Sequence, residues 1–233
     1  MRHETSEGPW IRSGSLRPGV GYGGSCFPKD VKALDQLALN NNHNFELLRS
    51  VITVNNRQRL LPLYALRERF GELSDVRIAI LGLAFKPDTD DVREAPSLDL
   101  IRALADEDAN ITAYDPKARE AAKKVLPGSI RLTDDLLDCV NGAQALVLLT
   151  EWREIVDSDW ATIAEQMNSP RFLFDGRNAV DPEHARHLGF QYQGVGRART
   201  LAAADLQISE DSSLPQTSAG SGNVDPTQGF ANP

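Results

Sequence analysis

Between residues 76 and 193 the chain alternates short aliphatic runs with segments of helical period, and few architectures can use that pattern. The runs at 76–81, 110–114, 130–132, 143–149, 171–174 and 190–193 predict strands. The segments at 96–107, 117–125, 133–139, 160–166 and 183–187 predict the helices between them. Strands that alternate with helices fold into a parallel, doubly wound sheet, because each helix carries the chain back across one face.

Upstream of the alternation the sequence is helical only. Residues 30–39 place apolar groups at 31, 34, 37 and 38, and Asn40 to Asn44 ends that period. A longer helix is predicted over 45–70, with Leu47, Leu48, Val51, Ile52 and Val54 as its apolar stripe and Gly71 as its stop. Pro62 lies inside it. A proline costs about 3 kcal/mol in a helix interior, so a kink or break is expected there. The stripe either packs on its own domain or meets a second copy. The fold class is therefore α/β, a helical segment followed by a Rossmann-like, doubly wound parallel sheet. The expected divisions are 1–27, 28–73, 74–199 and 200–233, the last predicted to be disordered because it lacks periodicity.

Composition narrows the function. Charged residues make up 25% and hydrophobic ones 41%, as in ordinary globular proteins. No apolar run approaches the roughly 18 residues of a membrane span, and the first residues lack the apolar stretch of a signal peptide. A net charge of −8 argues against nucleic acid as a partner. Cys26 and Cys139 fit neither a disulfide framework nor a metal spacing, and the four histidines offer no ligand pattern, so no metal is expected. A cytoplasmic, reducing location suits a free thiol.

The chemistry concentrates in Gly21-Tyr22-Gly23-Gly24-Ser25-Cys26-Phe27-Pro28-Lys29-Asp30. Glycines let a ligand approach the main chain. Pro28 suits the first turn of a helix, which sets Cys26 at the positive end with Lys29 nearby. That placement favours the thiolate, the nucleophilic form. Asp30, within the first turn, can position a water or hydroxyl. Further along, ligands of open parallel sheets bind at the carboxyl ends of the strands. Loops 82–93, 115–117, 150–153 and 175–178 lie there and carry Lys86, Arg93, Asp115, Glu151, Arg153 and Arg177. Arginine suits phosphate through paired N–H donors, so the loops suggest a nucleotide site. Asp90 and Asp91, being adjacent, read as a loop or helix cap. Cys139 reads as structural.

These ten residues resemble the catalytic-cysteine motif of the nucleotide-sugar dehydrogenases, in particular the UDP-glucose 6-dehydrogenases. The resemblance continues through Ile80-Leu81-Gly82-Leu83-Ala84-Phe85-Lys86-Pro87-Asp88-Thr89-Asp90-Asp91-Val92-Arg93-Glu94, Tyr114-Asp115-Pro116 and Phe174-Asp175-Gly176-Arg177, and covers roughly residues 16–199. It implies an NAD-dependent, two-step oxidation of UDP-glucose to UDP-glucuronate through a cysteine thiohemiacetal and thioester. Cys26 and Asp30 would be catalytic. Tyr22, Gly23, Gly24, Phe85, Lys86 and Arg177 would hold the UDP-sugar, with 74–199 as the UDP-binding domain. Lys29 and Arg93 would touch NAD. The 45–70 helix would build a homodimer.

The sequence also departs from that family. Members are about twice as long and open with a first strand whose Gly-x-Gly-x-x-Gly turn binds NAD; no predicted strand of this sequence is followed by such a turn. Trp10 stands where the family carries a substrate-contacting arginine. Three alternatives stay open: an enzyme completed by a separate NAD-binding polypeptide, a nucleotide-sugar-binding fragment without turnover, and part of a GDP-mannose 6-dehydrogenase.

Overall fold

A computed structural model describes residues 18–197; the expectations for Trp10 and for 200–233 lie outside them. The first helix, α1 (Phe27–Asn40), begins with Cys26 at its N-cap and Pro28 in its first turn, where the missing N–H has no partner to lose. The single helix expected over 45–70 is two, α2 (Glu46–Arg59) and α3 (Leu61–Phe70). The chain breaks at Leu60 and restarts so that Pro62 falls in the first turn of α3, the one helical place that tolerates it.

The two halves of that stretch bury different faces. Helix α3 puts Pro62, Leu63, Ala65 and Leu66 into the core, and Phe70 meets the edge of Phe172 at 6.1 Å. Helix α2 leaves Leu47, Val51 and Val54 exposed, Leu47 at 71%.

The remaining strands and helices alternate as the pattern requires. Strands β1 (Arg77–Leu81), β2 (Asn110–Tyr114), β3 (Arg131–Thr133), β4 (Ala145–Leu148), β5 (Phe172–Asp175) and β6 (Gln191–Gly194) form one parallel sheet in the order β3-β2-β1-β4-β5-β6. Helices α4 (Pro96–Ala105), α5 (Arg119–Lys123), α6 (Leu136–Val140), α8 (Trp160–Gln166) and α9 (Pro182–His187) connect them. The four-residue α7 (Arg153–Val156) was not anticipated. Asp135, Asp159 and Asp181 cap α6, α8 and α9 by accepting backbone N–H bonds.

Burial follows from the parallel layout. Strands β4 and β5 are buried at every residue, as sheets covered on both faces must be. Cys139 lies under the β1–β2 half, with its Sγ 3.4 Å from the Thr112 carbonyl, and burial pushes its thiol pKa up. Leu81 is in register with Tyr114 and with Leu148, and Leu148 with Asp175, so the carboxyl ends of β2, β1, β4 and β5 are level. The strand order reverses between β1 and β4, the switch point where such sheets open a crevice. Among the described residues no helix is long and apolar enough to cross a membrane.

Candidate functional site

At the switch point the crevice is filled by the protein itself. Gly82 follows β1 with φ +95°, and a Cβ there would lie 2.5 Å from the Cβ of Thr150. The next two N–H groups, of Leu83 and Ala84, donate to Asp115 Oδ2 at 2.7 and 3.0 Å. Trp152 Nε1 donates to the same oxygen at 3.0 Å, and Lys117 and Ala118 donate their backbone N–H to Oδ1. Thr150 Oγ1 donates to the Ala84 carbonyl at 2.6 Å. In a dinucleotide fold the first turn points its N–H groups at the pyrophosphate. Here Asp115, buried at 3% exposure, takes them. The sheet does not fit NAD at this point, and Asp115 is a keystone of the loops, not a ligand group.

To one side the same surface is open, and the cysteine loop crosses it. Val20 is buried and lies against Gly176, just past β5. Gly19 lies against the Arg177 guanidinium, where a Cβ would approach Nη1 to 2.7 Å. Gly23 sits against the Glu94 carbonyl. Gly24, at φ +89°, faces the Phe85 ring so closely that a Cβ would come within 2.8 Å, and its N–H donates to the Arg93 carbonyl at 3.0 Å. Residues 18–26 thus bridge loop 82–96 and loop 175–178. They set Phe85 against Gly24 and Arg177 against Gly19, five residues apart in one loop, with Lys86 beside Phe85.

The charged groups of this surface differ in freedom. Arg177 lays its guanidinium on Glu151 in a two-pronged pair, Nε to Oε2 at 2.6 Å and Nη2 to Oε1 at 2.7 Å. Its backbone N–H donates to Asp175 Oδ1 at 3.0 Å. Together with Pro18, Arg153, Asn178 and Arg197 it lines a cleft of about 610 Å³. Lys86 Nζ stands 5.3 Å from the centre of the Phe85 ring.

The thiol end is more exposed. Cys26 is open to solvent, with Ser25 Oγ 3.8 Å from its Sγ. Arg93 interacts electrostatically with it while donating to both Asp91 oxygens at 2.9 and 2.8 Å. Those bonds hold the Asp91 carboxyl below the usual range. Asp30 donates its N–H to the Cys26 carbonyl at 2.9 Å, so the two residues share one face of the first turn of α1. Lys29 pairs with Asp30 at 3.2 Å.

A second set of residues was not anticipated. Asn55 Oδ1 accepts the Tyr22 N–H at 2.8 Å, and Nδ2 donates to the Tyr22 carbonyl at 3.4 Å. Gln58 Nε2 donates to the Gly19 carbonyl at 2.8 Å, and Arg59 Nη2 to the Tyr22 carbonyl at 2.8 Å. Positions 55, 58 and 59 share one helix face, and that polar spacing next to the apolar stripe was the available signal.

Two family models match this chain. That of the central domain of the UDP-glucose/GDP-mannose dehydrogenase family covers residues 3–57, and that of the same family's UDP-binding domain covers 79–182. The chain belongs to the UDP-glucose/GDP-mannose dehydrogenase family. Among family members, a UDP-glucose 6-dehydrogenase of Bacillus subtilis is 44% identical over 197 residues, which span 84% of this chain and 44% of the relative. One from Pseudomonas aeruginosa is 44% identical over 187 residues, 78% of this chain and 41% of the relative. The chain thus spans less than half the length of these relatives. Among solved structures, a UDP-glucose dehydrogenase of Pyrobaculum islandicum superimposes with a TM-score of 0.67 at 31% identity, covering 77% of this chain and 39% of that one. A GDP-mannose dehydrogenase of Pseudomonas aeruginosa does so with 0.59 at 27%, covering 77% and 40%.

Proposed function

We propose that this chain is the part of a nucleotide-sugar dehydrogenase that holds the UDP-sugar and supplies the nucleophile. The observation that carries the reading is the packing of the cysteine-bearing loop against Phe85 at Gly24 and against Arg177 at Gly19, with Lys86 beside Phe85. The diphosphate faces Lys86 and the Arg177 corner, where cations offset its charge. The backbone at Tyr22, Gly23 and Gly24 lets the sugar approach Cys26. At the aldehyde stage the Cys26 sulfur adds to the carbonyl carbon, a C–S bond forms, and the oxygen takes a proton to give the thiohemiacetal. Asp30, one helical turn on, orients the water that later cleaves the thioester.

NAD would supply the hydride acceptor in this reading, and Lys29 and Arg93 would border it. With the switch point closed by Asp115, the cofactor's pyrophosphate would need other residues, in a domain or polypeptide that carries the dinucleotide turn. The exposed stripe Leu47, Val51 and Val54 of α2 suits a second copy, as in a homodimer. The working divisions remain 1–27 for the segment ending in the cysteine loop, 28–73 for the central helices, 74–199 for the nucleotide-sugar domain and 200–233 for the tail.

Calorimetry with UDP-glucose tests the site. Lys86→Ala and Arg177→Ala should each weaken binding by about tenfold to a hundredfold, the loss of one charged contact to phosphate. Unchanged affinity in both removes these residues from the site, and stronger binding of GDP-mannose than of UDP-glucose reassigns the substrate. A second reading, binding without turnover by this chain alone, draws on the sealed switch point. Absorbance of NADH with UDP-glucose and NAD+ separates the two. Steady turnover dependent on Cys26 overturns the second. Turnover only after a polypeptide with a dinucleotide turn is added supports a divided dehydrogenase.

A further inference from the structure

We propose that Asn55, Gln58 and Arg59, on the last turn of α2, act as positioning residues that set the cysteine loop against the nucleotide loops. The proposal rests on the reading of Cys26 as the nucleophile and goes beyond it. None of the three borders the open cleft. All three act on the backbone of residues 19–22.

The geometry is that of a clamp. Asn55 presents an acceptor to the Tyr22 N–H and a donor to the Tyr22 carbonyl, as a neighbouring strand would. Arg59 adds a second donor to that carbonyl, and Gln58 holds the Gly19 carbonyl three residues upstream. Gly21 lies between these points with φ +99°, and a Cβ there would stand 2.8 Å from Asn55 Oδ1. The loop can pass this close to α2 only with glycine at that position. Asn55 and Arg59 are buried, at 7% and 6% exposure, which a helix surface does not require of polar side chains.

Arg59 also reaches the other wall of the site. Its Nη1 donates to Asp99 Oδ2 on α4 and lies 3.7 Å from Glu94 Oε2 at the end of loop 82–96. Glu94 is held in turn by Lys32 of α1 at 2.8 Å. One guanidinium therefore touches the backbone of the cysteine loop and the carboxylates that close the loop bearing Phe85 and Lys86. Its Nε is buried with no partner, a cost borne for the reach of the other two nitrogens. Shifting Arg59 shifts Tyr22 relative to Lys86, and with them the distance from Cys26 to a bound sugar.

Two measurements on the full chain test the clamp. The first is amide hydrogen exchange, read by mass spectrometry on peptides spanning 19–26 and on peptides from β1 and β4. In Asn55→Leu and in Arg59→Lys the loop peptides should exchange at least about tenfold faster, with the strand peptides within about twofold of native. Asn55→Asp, which keeps the acceptor for the Tyr22 N–H, should fall between native and Asn55→Leu, and it carries the comparison if the leucine variant fails to fold. The second is the rate of Cys26 alkylation by iodoacetamide with and without UDP-glucose. Native chain should be protected about tenfold or more, and Asn55→Leu less than about twofold at saturating UDP-glucose.

Loop exchange unchanged in all three variants overturns the clamp, whatever the alkylation shows. Faster loop exchange in the variants, with no protection of native Cys26 by UDP-glucose, upholds the clamp and sinks the nucleotide-sugar reading. Strands that exchange as fast as the loop in the variants make these residues general fold determinants and overturn the positioning role.

Discussion

Two places on the carboxyl edge of one sheet differ in what fills them. Between β1 and β4 the Asp115 carboxyl collects five N–H donors and Thr150 occupies the space above Gly82. Beyond β4 and β5 a cleft stands open beside Pro18, lined by Arg153, Arg177 and Arg197 together with Glu151 and Asp157. The strand order alone would assign the ligand to the first place. The hydrogen bonds close the first place, because buried donors already satisfied within the protein have nothing left for a phosphate; at the second, a phosphate would have to draw Arg177 from Glu151. The two cysteines follow the same division: Cys139 lies buried under the closed half, and Cys26 is exposed beside the open one.

The closed half should be the more sensitive to substitution. Asp115→Ala leaves five donors without their acceptor in a buried site, and a loss of about 3–5 kcal/mol is expected from chemical denaturation. A loss below about 1 kcal/mol shows that water replaces the carboxyl freely, and the crevice is then open after all. Gly82→Ala should cost about 2–4 kcal/mol, since it combines left-handed backbone with a collision against the Thr150 main chain. Gly128→Ala is the control: nothing lies within 4 Å of a Cβ there, and its effect should stay within about 0.5 kcal/mol. Equal costs at the two glycines would erase the distinction.

Much of this was legible in the chain because period is a local property. The aliphatic runs located every strand to within a residue or two, and Pro62 announced the break that separates α2 from α3. The four residues of α7 are too few to show a period. The roles of individual polar residues were less visible. Asp115 sits in a loop at the strand ends, as the pattern predicts, but three of its five donors are 31 to 37 residues away and unreadable from spacing. Asn55, Gln58 and Arg59 carry no motif that singles them out. Their acceptors and donors lie 33 to 39 residues upstream in a loop with no period of its own. A polar triplet at i, i+3, i+4 on an otherwise amphipathic helix is a cue that only the folded loop makes meaningful.

The closed half can also be tested through pH. Burial raises the pKa of the Cys139 thiol far above that of an unfolded cysteine, about 8.5. Below that pH both states carry the proton, so its contribution to stability is fully present. Above it the unfolded chain releases the proton while the folded chain keeps it, and stability falls by about 1.4 kcal/mol per pH unit. Tyr114 and Tyr192 are also raised, chiefly by burial, but an unfolded tyrosine titrates near 10, so their losses begin higher. The interval from pH 8.5 to 10 therefore isolates Cys139, with an expected loss of about 2 kcal/mol. Unfolding free energies measured at steps across that interval should decline in the native chain and decline less steeply in Cys139→Val. The valine changes packing by the same amount at every pH, so it moves the curve without creating a slope. Parallel curves for the two proteins would mean that water reaches the thiol, and that the β1–β2 half is looser than its packing indicates.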